Sequence, residues 1–226
     1  TASFLTGLTH VYQRFGREDV NIIAVAGDGA SADCGFQSLS GAAERGEHML
    51  YICYDNEGYM NTGYQRSSTT TMGSRTSTTP IGTVISGKQQ AQKYVPLIVA
   101  MHGVEYCATA TPWNMKDLME KVQKGLEASK RGFAYIHMFA PCTTGWSFAQ
   151  DQGIEVAKRA VRSNMFPVWE KTSEGYKLSY VNNSPISIKE FVTGIGKFKN
   201  LSDEQLSEIQ KTADERYATI KALCGV

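Results

Sequence analysis

Two short apolar runs, each closing on an oxygen-rich turn, constrain this chain more than any other feature. Asn21-Ile22-Ile23-Ala24-Val25-Ala26 ends at Gly27-Asp28-Gly29, and Met49-Leu50-Tyr51-Ile52-Cys53-Tyr54 ends at Asp55-Asn56. Apolar runs this short, bounded by turn residues, fit strands buried on both faces. Residues 35–45 lie between them, and the small side chains Ser38, Ser40, Gly41, Ala42 and Ala43 suit a helix packed closely on a sheet. The result is one strand–helix–strand unit, and it leaves few choices. In a parallel sheet both strand ends lie side by side at the carboxyl edge, where open α/β sheets bind ligands.

Asp28 and Asn56 stand 28 residues apart, one at each of those ends. A carboxylate and an amide carbonyl are hard oxygen donors, suited to Mg²⁺ that also holds a diphosphate. Gly27 and Gly29 allow a tight turn and a close backbone approach to phosphate. On residue type alone Asp28 equally fits a helix N-cap.

The alternation continues downstream. Residues 2–16 read as a helix with Leu5, Leu8, Val11, Tyr12 and Phe15 on one face, and 20–26 as a strand. After the strand at 49–55 comes a long Ser/Thr/Gly-rich segment, 66–87, of the length usually reserved for functional loops. A helix follows at 88–102 with a kink expected at Pro96. Then come a strand at 104–110, a helix at 114–129 and a strand at 133–139. This predicts a doubly wound, mostly parallel α/β sheet over residues 1–165. Beyond it, a helix at 151–163 leads to a hairpin at 166–181 turning at Glu174-Gly175. A last helix starts at Ser202, with Gln205 as its capping-box partner. Residues 166–226 are therefore expected to form a C-terminal docking arm.

Composition excludes several classes. Of 226 residues 42% are hydrophobic, enough for a sizeable core. With 23 basic and 22 acidic residues and no basic stripe, nothing points to nucleic acid. No run of 18 apolar residues suggests a membrane span. Cysteines at 34, 53, 107, 142 and 224 form no CxxC, so neither a disulfide framework nor a self-contained zinc site is indicated, and a reducing cytoplasm is expected. Four scattered histidines make no paired motif. The first residues are already helical and carry no Met or signal-like core, so the polypeptide is expected to continue upstream of Thr1.

The stretch GDGASADCGFQSLSGAAERGEHMLYICYDNEGYMNTGYQRSSTTT resembles the thiamine-diphosphate-binding beta subunit of pyruvate:ferredoxin oxidoreductase, and more broadly the 2-oxoacid:ferredoxin oxidoreductase family, over roughly residues 1–165. The later Pro141-Cys142-Thr143-Thr144-Gly145-Trp146 is similar to the family's Pro-Cys-x-Thr-Gly-Trp. The resemblance implies thiamine diphosphate held through Mg²⁺, with Asp28, Asn56 and the Gly58 carbonyl as protein ligands. It places Gly27, Gly29, Ala30, Tyr59, Met60, Asn61 and Thr62 around the cofactor. Asn61 would sit near the thiazolium, where a neutral amide can donate to a developing oxyanion; read locally, it is also a common turn former. Cys142 would be one thiolate ligand of a [4Fe-4S] cluster whose other ligands lie outside this sequence; read locally, it is a buried small side chain.

The implied reaction is oxidative decarboxylation of a 2-oxoacid, with pyruvate giving acetyl-CoA and CO₂ and electrons passing through [4Fe-4S] clusters to ferredoxin. Partner subunits, ferredoxin, the 2-oxoacid and CoA are the expected partners. The carboxylate that activates the cofactor's aminopyrimidine would come from a different subunit or domain. Arg66 and Arg75 in the Ser/Thr loop fit a carboxylate or a CoA phosphate, and equally a surface position. Alternatives are an oxalate or branched-chain 2-oxoacid oxidoreductase, a non-redox thiamine-dependent decarboxylase or synthase, and a non-catalytic subunit.

Overall fold

The computed structural model describes residues 1–82 and 86–226. Its spine is a six-stranded sheet, built from β1 (Ile23–Gly27), β2 (Met49–Asp55), β3 (Tyr106–Ala110), β4 (Phe133–Phe139), β5 (Trp169–Thr172) and β6 (Gly175–Leu178), in the order β1-β2-β4-β3-β5-β6. The first four in that order pair in parallel. β5 then runs antiparallel to β3, and β6 antiparallel to β5. The register aligns the carboxyl ends, pairing Gly27 with Tyr54 and Asp55 with Phe139. Asp28, Asn56 and Cys142 therefore follow three adjacent strands on one edge of the sheet.

Helices cover the central strands on both faces. α1 (Ala2–Arg14) and α2 (Phe36–Glu44) lie on one side, where Leu39, Ala42 and Ala43 pack with Tyr51, Cys53 and Tyr135. α4 (Met115–Ser129) lies on the other, capped by Asn114, whose side chain accepts the Asp117 amide at 3.2 Å. Leu118, Val122 and Leu126 of α4 pack against Leu50, Tyr106 and Ile136. Gly125 makes that approach possible, because a Cβ there would lie 2.9 Å from Leu50.

Two expectations change. The helix predicted over 88–102 shrinks to α3, Val95–Ala100, with Pro96 in its first turn rather than at a kink. Proline is tolerated there because its missing N–H has no intrahelical partner anyway. Lys88, expected on that helix, is instead buried, with its ammonium donating to the carbonyls of Thr70 (2.6 Å), Ser68 (3.3 Å) and Ala91 (3.3 Å). It fixes the Ser/Thr loop from beneath, and residues 83–85 of that loop lie outside the described residues.

The expected C-terminal arm is built into the sheet. Its hairpin turns at Ser173-Glu174, and β5 extends the sheet from β3. Trp169, Leu178 and Ile220 share one buried cluster with Ala24 and Tyr51. A second cluster gathers Phe139 and the short α5 (Thr143–Trp146) with α6 (Gly153–Arg162), α7 (Ile188–Val192) and α8 (Asp203–Leu223). The capping box of Ser202 and Gln205 opens α8 as the sequence predicts.

Candidate active site

Asp28 leaves β1 into a five-residue π-turn, Gly29–Asp33, and makes no capping bond to it, so its carboxylate is free for other partners. It is only 1% exposed. Oδ2 accepts from Ser67 Oγ at 2.5 Å and Thr69 Oγ1 at 3.0 Å, both from the Ser/Thr loop. Across the strand gap, the amide end of Asn56 lies 3.2 Å from Asp28 Oδ1 and 2.9 Å from the Gly58 carbonyl oxygen. With its NH₂ turned inward, Asn56 donates to both. With its carbonyl turned inward, three oxygens meet with no proton between them, an arrangement a cation stabilises. Adjacent ligands of an octahedral Mg²⁺ with bonds of about 2.1 Å lie about 3 Å apart, so the spacing fits. Asp28 and Asn56 are the pair read from the strand ends, and the Gly58 carbonyl is the third ligand that the resemblance implies.

Thr69 Oγ1 also lies 2.9 Å from Asp55 Oδ1. One hydroxyl has one proton to give, so it cannot donate to Asp28 and Asp55 at once. Burial, reinforced by the charge of Asp55, pushes the Asp28 pKa up to about 7 against the pull of Ser67 and Thr69. Asp55 stays ionised: burial disfavours its charge, but bonds from His137 (2.9 Å), the Glu57 amide (2.7 Å) and Thr69 hold its pKa low. His137 in turn contacts Tyr135 OH at 2.8 Å. Burial opposes its charge, but Cys53 and Asp55 outweigh that and raise its pKa to about 10.

The turn after β2 is clamped. A Cβ on Gly58 would lie 2.7 Å from the Tyr64 ring and 2.9 Å from the Gln65 carbonyl. Tyr59 and Gln65 then pair back to back. The Tyr59 ring lies on Gly29, where a Cβ would come within 2.4 Å of it, and its hydroxyl is 3.1 Å from Asp33 Oδ2 and 3.3 Å from the Gly29 carbonyl. Met60 packs beside Gly145, which also neighbours the Cys142 sulfur, so the YMNTG turn touches the PCTTGW turn. Cys142 is a free, half-buried thiol whose sulfur accepts the Gly145 amide at 3.4 Å. Asn61 and Thr62 are exposed at the tip of the turn, and the Asn61 amide makes no hydrogen bond among the described residues.

Sequence reasoning missed Ser67, Thr69, Asp55, Glu57, His137 and Lys197. The one available signal was the run of hydroxyl residues at 67–71, which supplies donors to buried carboxylates. Cys34 is exposed, and its thiol points to the Gly29 carbonyl at 3.5 Å. Arg66 is half-buried and Arg75 exposed. Among the described residues no three His, Cys, Asp or Glu side chains gather as a metal site.

Residues 4–138 match the thiamine pyrophosphate enzyme, C-terminal TPP binding domain. The chain belongs to this family. It is 46% identical over 99% of its length to the NADH-dependent phenylglyoxylate dehydrogenase subunit beta of Aromatoleum evansii, of which it spans half. It is 42% identical to the pyruvate synthase subunit PorB of Methanothermobacter thermautotrophicus, covering 94% of this chain and 73% of that one. Against the ketoisovalerate oxidoreductase subunit VorB of Pyrococcus furiosus it is 39% identical, covering 95% and 69%. Within thiamine pyrophosphate enzymes it thus groups with the beta subunits of 2-oxoacid oxidoreductases. A 2-oxoglutarate:ferredoxin oxidoreductase from Magnetococcus marinus, solved with 2-oxoglutarate, coenzyme A and succinyl-CoA bound, superimposes with a TM-score of 0.53 at 21% identity, over 96% of this chain and 67% of that one, and shares the fold. No helix among the described residues is long and apolar enough to cross a membrane.

Proposed function

We propose that this chain supplies the cation and diphosphate half of a thiamine diphosphate site in a 2-oxoacid:ferredoxin oxidoreductase. The observation that carries the reading is that Asp28 Oδ1 and the Gly58 carbonyl both lie within 3.2 Å of the Asn56 side-chain amide, at adjacent strand ends. Asp28, Asn56 and Gly58 would hold Mg²⁺, and the amides of Gly29 and Ala30, opening the turn after β1, would take phosphate oxygens. When bound, thiamine diphosphate supplies a thiazolium carbon that serves as nucleophile and electron sink. Tyr59 would have to lift from Gly29 to expose those amides. Asn61, exposed and without an internal partner, is free to turn its amide toward a substrate carbonyl.

Cys142 would give one thiolate to a [4Fe-4S] cluster. Its free, half-buried sulfur and the amide donating to it fit that role, and the remaining thiolates would come from elsewhere in the assembly. Other subunits, ferredoxin and CoA complete the proposed assembly. All five cysteines are free, which favours the cytoplasm.

Pyruvate leads as the substrate, supported by the pyruvate synthase relatives. A bulkier aryl 2-oxoacid is the second reading, favoured by the 46% identity to the phenylglyoxylate enzyme's subunit. One set of measurements on the purified complex tests the proposal. Asp28→Ala should lose retained thiamine diphosphate while keeping the fold, Cys142→Ser should lower iron content, and 2-oxoacids compared with a viologen acceptor should rank pyruvate first. Wild-type cofactor affinity in Asp28→Ala sinks the site assignment, and unchanged iron in Cys142→Ser sinks the cluster ligand.

A further inference from the structure

Glu57 sits between two of the proposed cation ligands. It is 2% exposed and has φ of 61°, in the left-handed region. A non-glycine residue persists there only where its surroundings over-determine it. All its polar groups are engaged. Oε2 accepts from Lys197 Nζ at 2.6 Å, Thr71 Oγ1 at 2.8 Å and the Thr71 amide at 3.0 Å. Oε1 accepts from Gln92 Nε2 at 3.2 Å, the carbonyl from Thr70 Oγ1 at 2.8 Å, and the amide donates to Asp55 at 2.7 Å. This conformation reverses the chain, so that the Asn56 amide and the Gly58 carbonyl meet on one side of the turn. Glu57 returned to an ordinary conformation would carry the Gly58 carbonyl elsewhere.

Lys197 is the counter-charge, and it comes from the far end of the chain. It is 2% exposed, on the short turn Gly196–Phe198. Its ammonium also lies 3.0 Å from the centre of the Trp146 ring, and the Trp146 indole N–H donates to the Asn56 backbone carbonyl at 2.8 Å. Its backbone is fixed as well, since the Lys197 carbonyl accepts from the Arg75 amide at 2.8 Å and the Gly196 amide donates to Ser147 at 3.1 Å. Lys197 thus touches the turn by two routes: directly at Glu57, and through Trp146 at Asn56. A buried ion pair is weak evidence for stability, because desolvation offsets the attraction. Its two-pronged placement behind a pair of ligand oxygens is better explained by geometry.

We propose that Lys197 is a positioning residue for the cation and diphosphate site, holding Asn56 and Gly58 in their liganding arrangement through Glu57 and Trp146. This rests on the thiamine diphosphate reading. The test titrates thiamine diphosphate with Mg²⁺ calorimetrically into the purified complex carrying wild type, Lys197→Met, Glu57→Gln, the double variant or Asp28→Ala, with thermal melts in parallel. Supporting groups behind metal ligands change affinity by roughly 10–100-fold, and we expect a loss of that size in Lys197→Met. The KM for the cofactor should rise more than kcat falls at saturation. The double variant, which removes both charges, should melt near wild type yet still bind weakly. It decides the matter if Lys197→Met alone does not fold. Wild-type affinity in Lys197→Met or in the double variant overturns the positioning role. If wild-type binding survives Asp28→Ala, the cofactor reading itself fails, and this inference with it.

Discussion

At the scale of single residues, the site is a problem in counting protons. Asp28 and Asp55 share one threonine hydroxyl, with Ser67 adding a second donor to Asp28. Thr69→Val keeps the shape of the side chain and removes that hydroxyl, leaving buried carboxylate oxygens short of a partner. A lost partner of this kind costs about 1–3 kcal/mol. For a chain of this size the melting temperature should fall by about 2–4 °C per kcal/mol. A melt unchanged from wild type would mean that Thr69 does not carry the proton between the two. Asp28 and Asn56 were legible in the sequence because each closes an apolar run, a signal contained within a few residues. Their supports were not. Ser67 and Thr69 lie 39 and 41 residues from Asp28, and His137 lies 82 from Asp55, and no local pattern encodes such distances.

At the scale of elements, strand and helix alternation was readable because each element carries its own period, and α4 and α8 announce their starts with caps. The helix expected at 88–102 misled because its polar first half, with Lys88 and Gln92, spends its side chains on the loop and on Glu57 rather than on a solvated helix face. The hairpin was legible as a hairpin but not as part of the sheet, since strand pairing is a long-range choice. One tie holding it is Glu170 of β5, which accepts from Lys124 of α4 at 2.8 and 2.9 Å and from Tyr106 OH of β3 at 2.9 Å. Burial disfavours its charge, but those bonds outweigh it and hold its pKa below the ordinary 4.5. A depressed carboxylate stabilises the fold fully above its unfolded pKa, and that contribution fades as pH falls through the folded value. Glu170→Gln should therefore be less stable than wild type at neutral pH. The gap should narrow as pH falls below the ordinary 4.5 and close once pH is below the depressed folded value, where both forms are neutral. Urea melts across that range check it, and a gap that persists undiminished in acid argues against an ionic tie.

For the whole molecule, residues 166–226 belong to the same cores as the rest. Phe139 and Trp146 are covered by Phe166, Phe191 and Phe198, and Ile220 packs in the cluster of β1 and β2. A chain cut after residue 165 would expose both surfaces, and it should fail to give a cooperative melt, whereas the full chain should melt in one transition. Circular dichroism and exposed-surface dye binding distinguish the two outcomes, and a sharp melt of the shortened chain would show that the α/β part stands alone. The ion pair of Glu57 with Lys197 spans 140 residues. Contacts of such sequence separation form late, because a long loop must close before they reward it. During synthesis, at about 5–20 residues per second, Asp28 and Asn56 leave the ribosome many seconds before Lys197 does. A nascent chain therefore displays Asp28 and Asn56 well before the residue that shapes the turn beside them, and on the proposed reading competence to take up a cofactor waits for Lys197.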